Sequence, residues 1–228
     1  MSTCILVDLG GTLIYGPRIR EVFDYTLKSE NLKSKFGDHL AMKLKSEFNK
    51  VYDGMKIIKK KLMIEVSLKT MLKIVLEKVL TSNASLLEEF RETFVKQYVE
   101  TRMAYYDAIA FLKELKGLGF TVVVVSNSPD HSMAFGSLEK LGLLNYVDNV
   151  LTSAKIGVRK PHPLVYLMAL KLSRASKALF IGDNVEADVL GPLSVGIPAI
   201  HVARNGVKLK RSVSNLFDAF DIILAEFA

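Results

Sequence analysis

The sequence has a single cysteine, few prolines and no long apolar run. With one cysteine among 228 residues, no intrachain disulfide can form. Cys4 lies in a strand-like apolar stretch, where it is expected to be a small buried side chain. The composition of 6 prolines, 14 glycines, 50% apolar and 24% charged residues excludes collagen-like and broadly disordered chains. The strongly apolar run at 122–125 is too short for a membrane helix, which takes about 20 residues.

These absences predict a globular chain that is long enough to bury a sizeable core. At about 150 residues per domain, the length allows one large domain, or a core with a second small domain. No membrane partner is expected. The N-terminal stretch lacks the basic leader of a secretory signal, so a cytoplasmic location is expected.

Positive charge is concentrated in one segment. The net charge is +7, and residues 16–104, with 18 basic and 12 acidic side chains, account for +6 of it. Such a segment attracts anionic ligands, either a small phosphorylated molecule or a nucleic acid backbone. The alternative is a solvated helix surface, which is favoured by three lysines at 59–61 that precede apolar residues at helical spacing. Those apolar residues are Ile64, Leu68, Met71, Val75 and Val79.

Outside that segment, strand and helix patterns alternate. Residues 3–9 predict a buried strand followed by a glycine turn, and residues 16–104 have a helical pattern throughout. The rest of the chain predicts helices at 108–118, 131–141, 163–173 and 185–194, and strands at 121–125, 147–151, 177–181 and 199–202. This order predicts an α/β fold with a doubly wound parallel sheet and a smaller all-helical part.

In a doubly wound sheet the ligand lies beyond the carboxyl ends of the strands, so the residues that follow each strand are the candidates. The carboxylates Asp8 and Asp183 favour Mg²⁺, which prefers oxygen ligands and keeps several waters. The backbone N–H groups of residues 8–11, with Ser126 and Lys160, are expected to hold phosphoryl oxygens. An aspartate among them can act as a nucleophile. The four histidines lack metal-ligand spacing and are expected at the surface or in helix caps.

Taken together and in order, these stretches resemble the four motifs of the haloacid dehalogenase-like (HAD) hydrolase superfamily. The family motifs are a strand followed by D-x-D-G-T, a strand followed by Ser or Thr, a Lys before a Pro, and a Gly-Asp pair with a further Asp downstream. The matching stretches are Asp8-Leu9-Gly10-Gly11-Thr12-Leu13, Ser126-Asn127, Lys160-Pro161 and Gly182-Asp183 with Asp188. The resemblance covers essentially the whole chain and implies a Rossmann-like core with a helical cap.

The resemblance also implies a role for each motif residue. Asp8 is expected to be the catalytic nucleophile and a Mg²⁺ ligand, and Lys160 to bind phosphoryl oxygens and compensate their charge. Asp188 is expected to orient Lys160 or the waters of the metal. The expected metal site comprises Asp8, Gly10 through its backbone carbonyl, Asp183 and Asp188. The expected substrate-binding set comprises Gly10, Gly11, Ser126, Asn127 and Lys160.

The spacing of the first two motifs leaves roughly 80 residues beyond a bare strand-helix-strand unit of about 30 residues. This helical, basic insertion resembles the mobile cap that closes over the site in the family and selects the substrate. The expected division is an α/β catalytic core formed by residues 1–15 and 105–228, with a helical cap domain at 16–104.

One residue departs from the phosphatase pattern. Family phosphatases carry an Asp two residues after the nucleophile, where it serves as general acid and base, and this chain has Gly10. Loss of a general acid typically costs about 10²–10⁴-fold in rate. The favoured reading is still a Mg²⁺-dependent phosphatase that acts on a small phosphorylated metabolite through an aspartyl-phosphate. It needs either a substitute acid or a leaving group that requires little protonation.

Two other readings stay open. One is a phosphonate- or haloacid-cleaving hydrolase, since the phosphonate-cleaving relatives carry a small residue at this position. The other is a phosphate- or nucleic-acid-binding protein with little turnover, although the intact set of Asp8, Ser126, Lys160 and Asp183 argues against it. No nucleic acid partner is expected, and the sequence leaves the oligomeric state open.

Overall fold

The computed structural model of the chain describes residues 3–80, 84–204 and 211–227, and residues 1, 2, 81–83, 205–210 and 228 lie outside the described residues. The strands are, in chain order, β1 (Thr3–Val7), β2 (Ile14–Tyr15), β3 (Met103–Ala104), β4 (Thr121–Ser126), β5 (Asn149–Thr152), β6 (Lys177–Gly182), β7 (Ala199–Val202) and β8 (Ser212–Val213). The α-helices are α1 (Ile19–Leu27), α2 (Glu30–Leu62), α3 (Leu68–Val79), α4 (Ala84–Glu100), α5 (Ala108–Gly117), α6 (His131–Lys140), α7 (Ser153–Ile156), α8 (Pro163–Ser173), α9 (Gly191–Leu193) and α10 (Leu216–Phe227).

Six strands form one parallel sheet in the order β5-β4-β1-β6-β7-β8. The chain builds outward from β1 through β4 and β5, then returns to the other side of β1 to add β6, β7 and β8. The carboxyl ends of β1, β4 and β6 therefore meet where the strand order reverses, which is where ligands bind in such sheets. The predicted doubly wound α/β fold is confirmed.

The central strands are buried on both faces because helices cover both sides of the sheet. In β1, Ile5 and Val7 belong to the apolar cluster that includes α5, α6 and α10. Cys4 and Leu6 point to the opposite face and pack with α8. This alternation follows from the two-residue repeat of a strand, and it explains why the central strands are apolar at every position.

The segment between β2 and β3 consists of α1 to α4 and has its own apolar cluster. Aromatic rings fill its centre: the rings of Phe23 and Phe48 stack with their centroids 3.9 Å apart, and Phe90 and Phe94 pack beside them. The predicted helical character of this segment is confirmed. Within the described residues, no helix is long and apolar enough to cross a membrane.

The spacing of the apolar residues predicts one helix that continues past the lysines at 59–61, but the helix ends directly after them. Helix α2 stops at Leu62 because Met63 adopts a left-handed conformation, with φ of 52°. Residues 63–67 then run along the core, where Ile64 pairs with Val158 as an isolated β-bridge. The apolar residues after the lysines are thus divided between this connection and α3, because contacts with the core interrupt the helix.

The junction between the insertion and the sheet is a short two-stranded ribbon that the sequence analysis did not predict. β2 and β3 pair antiparallel, so the chain leaves and re-enters the core side by side. Arg102 fastens this junction: its guanidinium lies 4.1 Å from the ring centroid of Tyr98 and donates a 2.5 Å hydrogen bond to Pro17 O.

The helix predicted at 185–194 is split. Residues Val185–Leu190 form a π-helix, and the short α9 follows directly. The wider π-turn accompanies the burial of Asp188, whose side chain bonds back to the backbone N–H of Asn184. π-Turns are frequent at functional sites, and this one brings Asp188 under the carboxyl edge of the sheet.

Candidate active site

A cavity of about 570 Å³ lies at the carboxyl ends of β1, β4 and β6. Asp8 directly follows β1, Ser126 ends β4 and Asp183 directly follows β6. Lys160 reaches the same place from the connection between α7 and α8. Of the residues singled out in the sequence, Asp8, Gly10, Ser126, Asn127, Lys160, Asp183 and Asp188 line the cavity, whereas Gly11 does not.

The Lys160 ammonium group is the centre of the buried hydrogen-bond network. Its Nζ donates to Asp8 Oδ1 at 2.6 Å, to Asp188 Oδ1 at 2.7 Å and to the backbone carbonyl of Val125 at 2.8 Å. Three acceptors match the three donors of an ammonium group. Burial alone lowers the pKa of Lys160, but the charges of Asp188 and Asp8 outweigh it and raise the pKa above its usual value. Lys160 is therefore held protonated beside Asp8.

Asp188 is almost completely buried and supports Lys160 from below. One carboxylate oxygen accepts from Lys160, and the other accepts from the backbone N–H of Asn184 at 3.0 Å. Burial raises the pKa of Asp188 to about 7, against the opposing effect of the Lys160 charge. With both oxygens already bonded to protein donors, Asp188 is placed to orient Lys160.

Asp183 approaches the turn after β1 so closely that Gly11 has no room for a side chain. A Cβ atom on Gly11 would lie 2.3 Å from Asp183 Oδ2, and the φ of Gly11 is +89°, which L residues rarely adopt. Gly11 thus keeps space for Asp183 and is not a wall of the cavity. Loss of solvent around the carboxyl group, with a further contribution from Asp8, raises the pKa of Asp183 to about 6.

The three aspartates Asp8, Asp183 and Asp188 offer oxygen atoms that lie within 4.8 Å of one another. Burial, with a further contribution from the negative charge of Asp8, raises the pKa of both Asp183 and Asp188. A hard divalent cation with oxygen preference, such as Mg²⁺, fits this donor set and would relieve the repulsion.

Asn127 fixes the backbone on which Lys160 stands. Its side-chain Nδ2 donates to the carbonyl of Lys160 at 3.0 Å, and its Oδ1 accepts from the amide of Lys160 at 2.8 Å. Asn127 therefore positions Lys160 in addition to facing the cavity. Asn184 instead caps the following π-helix by accepting from the backbone N–H of Ala187.

Residues 3–196 match the sequence profile of the haloacid dehalogenase-like hydrolases. The chain belongs to this family. The match covers β1, the whole helical insertion and every residue of the site, and it confirms both the resemblance drawn from the motifs and the expectation of a hydrolase.

Curated relatives are named as phosphatases. A phosphoglycolate phosphatase of Aquifex aeolicus is 30% identical over 192 residues, which cover 81% of this chain and 77% of the relative. A ribulose-1,5-bisphosphate 5-phosphatase of Halopiger xanaduensis is 34% identical over 111 residues, 48% of this chain, and the match spans about half (46%) of that relative.

Solved structures of the family share the fold over the full chain. A 2-haloacid dehalogenase from Pseudomonas syringae has a TM-score of 0.74 at 21% identity and covers 100% of both chains. An HAD phosphatase from Thermococcus onnurineus has a TM-score of 0.69 at 21% identity and covers 98% of both chains. At this identity the likeness concerns the fold alone.

Gly10, the departure from the phosphatase form of the HAD pattern, lies in open space. An added Cβ at Gly10 meets no atom within 4 Å, and the residue lines the same cavity as Asp8. Unlike Gly11, Gly10 is not required by backbone conformation or packing.

An ionic contact that was not predicted from the sequence joins the insertion to the core. Glu65, whose side chain is 2% exposed, pairs with Arg159 of the core and, at 2.6 Å, with Lys59 Nζ. Ser153 donates a further hydrogen bond to Glu65 at 2.5 Å. The one available signal was the position of Arg159 directly before Lys160. The interpretation of the lysine run as solvated surface is wrong for Lys59, whose side chain is 12% exposed.

Backbone hydrogen bonds also join the segment after α2 to the loop that precedes Lys160. Glu65 donates its amide to Gly157 O, and Arg159 donates its amide to Met63 O, both at 2.8 Å. Together with the Ile64 bridge, these bonds hold the end of α2 beside Lys160. The helical insertion therefore covers the site and supplies part of its wall, including Tyr52, Met55 and Tyr98.

His201 contradicts the expectation of surface or capping histidines, since it is 4% exposed in β7. Its Nε2 lies 3.0 Å from the backbone carbonyl of Asp183, and its Nδ1 lies 2.8 Å from Ser212 Oγ. His201 supports the backbone of Asp183 from the neighbouring strand, a contact that only the sheet order creates. His162 fulfils the expectation by capping α8 through a bond from the amide of Leu164.

Proposed function

We propose that this HAD-like hydrolase is a Mg²⁺-dependent phosphatase that acts on a small phosphorylated metabolite through a covalent aspartyl-phosphate on Asp8. One observation carries the proposal. The Lys160 ammonium group is held by Asp8, Asp188 and Val125 O at the floor of the cavity, next to a carboxylate that faces the space a phosphoryl group would occupy. The named activities of the two curated relatives support the same chemistry.

Asp8 is the proposed nucleophile. Its Oδ1 accepts from Lys160, and its Oδ2 accepts a long 3.3 Å bond from Thr12 Oγ1 and no other within the described residues, so one oxygen is weakly engaged. This oxygen attacks phosphorus, an O–P bond forms and the bond to the leaving oxygen breaks. Water then attacks the same phosphorus and releases inorganic phosphate, which restores the Asp8 carboxylate.

Lys160 and Ser126 are the proposed phosphoryl-binding groups. Lys160 is held in place by Asp188 and by the backbone contacts of Asn127, so its positive charge is fixed beside Asp8. A hydrogen bond from Lys160 to a phosphoryl oxygen would replace one of its three present bonds. Fixed charges that face the transferring group stabilise the transition state because they need no reorganisation. The backbone N–H of Gly10 is proposed to contribute a further donor. The expectation that Gly11 binds substrate is wrong, because its amide donates to Ile14 O at 2.8 Å and the residue does not line the cavity.

Asp8, Asp183 and the backbone carbonyl of Gly10 are the proposed ligands of Mg²⁺, with Asp188 beside them. When bound, the cation supplies charge neutralisation for the nucleophile and for the phosphoryl oxygens. The oxygen atoms that Asp8, Asp183 and Asp188 offer within 4.8 Å of one another are the observation that supports a shared cation.

Because Gly10 supplies no acid, the site is limited in the leaving groups that it can release. An alkoxide leaves poorly unless a proton reaches it, whereas a nitrophenolate or an acetate leaves without one. We therefore propose that the chain works best on substrates with stable leaving groups, or that water in the cavity delivers the proton. Residues 16–104 are the proposed cap domain, and residues 1–15 with 105–228 are the proposed catalytic core.

The test is phosphate release from p-nitrophenyl phosphate and from acetyl phosphate, with and without Mg²⁺. The wild type is compared with Asp8→Asn and with a matched control, Asp221→Asn, which changes an exposed carboxylate on α10 away from the cavity. Release that requires Mg²⁺, disappears in Asp8→Asn and persists in the control supports the proposal. Acid quenching should trap one phosphoryl group on the peptide that contains Asp8.

Two results would overturn the proposal. Equal release by the wild type and Asp8→Asn would exclude Asp8 as the nucleophile. No release from either donor by a folded, Mg²⁺-binding protein would refute the phosphatase assignment. Phosphonoacetaldehyde and 2-chloropropionate, tested in the same assay series, would then examine the phosphonate and haloacid readings.

A further inference from the structure

Besides Lys160, the cavity is lined by four basic side chains. Lys56, Lys59 and Lys60 come from the last turns of α2, and Arg159 comes from the core loop next to Lys160. All four line the same cavity as Asp8. The cavity wall therefore carries both the three aspartates and these four cationic groups, three of them from the helical insertion and one from the core.

Two of these cations already have a partner. Lys59 and Arg159 share the carboxylate of Glu65, which leaves that trio with one net positive charge. Lys56 and Lys60 make no ion pair among the described residues. Some other lysines of the insertion are paired, for example Lys45 with Asp24 at 2.6 Å and Lys69 with Glu88 at 3.0 Å, so the feature that distinguishes Lys56 and Lys60 is that they line the cavity.

The remaining wall does not compensate these charges. Apart from the three aspartates of the floor, the acidic side chain that lines the cavity is Glu186, which is exposed on the π-helix after β6. The wall also has an apolar part. Its apolar side chains include Met55, Met63, Met71 and Met133. Net positive charge thus faces the space that the leaving group of a phosphorylated substrate would fill.

The cavity is large enough for more than a phosphoryl group. Its volume of about 570 Å³ lies within the range of about 300–1,000 Å³ that is typical of small-molecule sites. A three- to five-carbon phosphate ester fits this range. A neutral leaving group would leave the ammonium groups of Lys56 and Lys60 facing only water. An anionic leaving group would form charge-assisted hydrogen bonds with them.

We propose that the substrate carries a second anionic group, a carboxylate or a second phosphate, on its leaving group, and that Lys56 and Lys60 bind this group. The inference rests on the proposed phosphatase function, which it deepens by naming the substrate class. Glu65 holds Lys59 and Arg159 at the side of this subsite, so the subsite is complete when the end of α2 is docked on the core.

The experiment compares matched donors that differ in the second anion alone. 2-Phosphoglycolate and ethyl phosphate have nearly the same size, and one ends in a carboxylate where the other ends in a methyl group. Ribulose 1,5-bisphosphate and ribulose 5-phosphate form the second pair, which distinguishes a second phosphate from a carboxylate. The measured quantity is the ratio of kcat/KM for the anionic donor to kcat/KM for its partner.

The variant is the double substitution Lys56→Gln and Lys60→Gln. Its matched control is Lys33→Gln with Lys43→Gln, two exposed lysines on the same helix that do not line the cavity. In the wild type the ratio should exceed about tenfold for at least one donor pair, which corresponds to about 1.4 kcal/mol. The test variant should lose most of that preference through KM, and the control should keep it.

A second measurement uses the wild-type protein and needs no variant. Raising the ionic strength from about 0.05 M to about 0.5 M should reduce the preference, because exposed ammonium groups are screened over this range. Binding of 2-phosphoglycolate and ethyl phosphate to the Asp8→Asn protein, measured by calorimetry, should show the same difference in affinity without turnover.

The outcomes separate the inference from the function on which it rests. Asp8-dependent hydrolysis with equal kcat/KM for anionic and neutral donors would overturn the inference and leave the phosphatase function standing. An equal loss of preference in both double variants would also overturn it, since the effect would then come from net charge alone. If neither these donors nor p-nitrophenyl phosphate and acetyl phosphate are hydrolysed in an Asp8-dependent way, both proposals fail.

Discussion

The substitution Gly10→Asp tests directly whether a missing proton donor limits this site. The structure permits the change without strain: an added Cβ at Gly10 meets no atom within 4 Å, and the residue lines the cavity that contains Asp8. Gly11 provides the contrast, because a Cβ there would lie 2.3 Å from Asp183 Oδ2. A side chain is therefore expected to be tolerated at Gly10 and to disturb the site at Gly11.

The size of the expected effect depends on the leaving group. A positioned general acid contributes about 10²–10⁴-fold, which corresponds to about 3–5 kcal/mol of activation free energy. Ethyl phosphate releases an alkoxide and should gain at least about 100-fold in kcat when Gly10 is replaced by Asp. p-Nitrophenyl phosphate releases a stable anion and should gain little. The informative quantity is therefore the ratio of the two gains.

The assay measures phosphate release at saturating Mg²⁺ for the wild type, Gly10→Asp, Gly10→Asn and Gly11→Ala. The Asn variant has the size of Asp without its acidic proton, so it should gain nothing on either donor. The Ala variant should lose activity on both donors, since its methyl group displaces Asp183. Circular dichroism and thermal unfolding show whether each variant is folded.

Two results would refute this reasoning. If Gly10→Asp leaves the hydrolysis of ethyl phosphate unchanged in a folded protein that binds Mg²⁺, proton donation at this position does not limit the rate. If Gly10→Asn produces the same gain as Gly10→Asp, the effect comes from filling the space, and the general-acid explanation is wrong.

Four further predictions follow from the geometry. Lys160→Met should abolish turnover and destabilise the fold by about 3–5 kcal/mol in urea unfolding, because two buried carboxylates lose their partner; an unchanged midpoint would contradict the buried network. Glu65→Gln should accelerate hydrogen exchange at the amides of Glu65 and Arg159, which join the insertion to the core, and unchanged exchange would show that the backbone bonds suffice. Phe48→Ala should cost about 3–5 kcal/mol, since its buried ring stacks in the aromatic cluster, and a loss below about 1 kcal/mol would mean that the cluster collapses around the gap. Burial raises the pKa of Cys4 to about 11, so its thiolate fraction at pH 8 is far smaller than in the unfolded chain, and iodoacetamide should modify it rapidly only in denaturant.

The central strands and the site motifs could be predicted from the sequence because both are local patterns. The β-branched run of β4 is apolar at every position, which indicates burial on both faces, and the helix at 163–173 agrees with the structure at both ends. Candidate residues at strand ends were predictable for the same reason, since a parallel sheet gathers its carboxyl ends at one edge.

The missed features depend on residues that are distant in the chain. The pairing of Glu65 with Arg159 joins positions 94 residues apart, and no local pattern in either segment indicates it. The ribbon of β2 and β3 joins the two ends of the insertion, and each strand has only two residues. The sequence of Val185–Leu190 predicts an ordinary α-helix, whereas the structure has a π-helix there. The wider turn accompanies the burial of Asp188, which depends on the tertiary structure.

The sequence by itself determined the alternation of strands and helices, the family motifs and the absence of an acid at Gly10, because each of these is a matter of residue type and spacing. The tertiary structure decided what those residues do to one another. It placed Lys160 between Asp8 and Asp188, which sets its protonation through short-range charge interactions. It also placed Lys56, Lys59 and Lys60 at the cavity, because α2 ends at Met63 and the chain then docks on the core. Only folding brings these lysines to the cavity that contains Asp8.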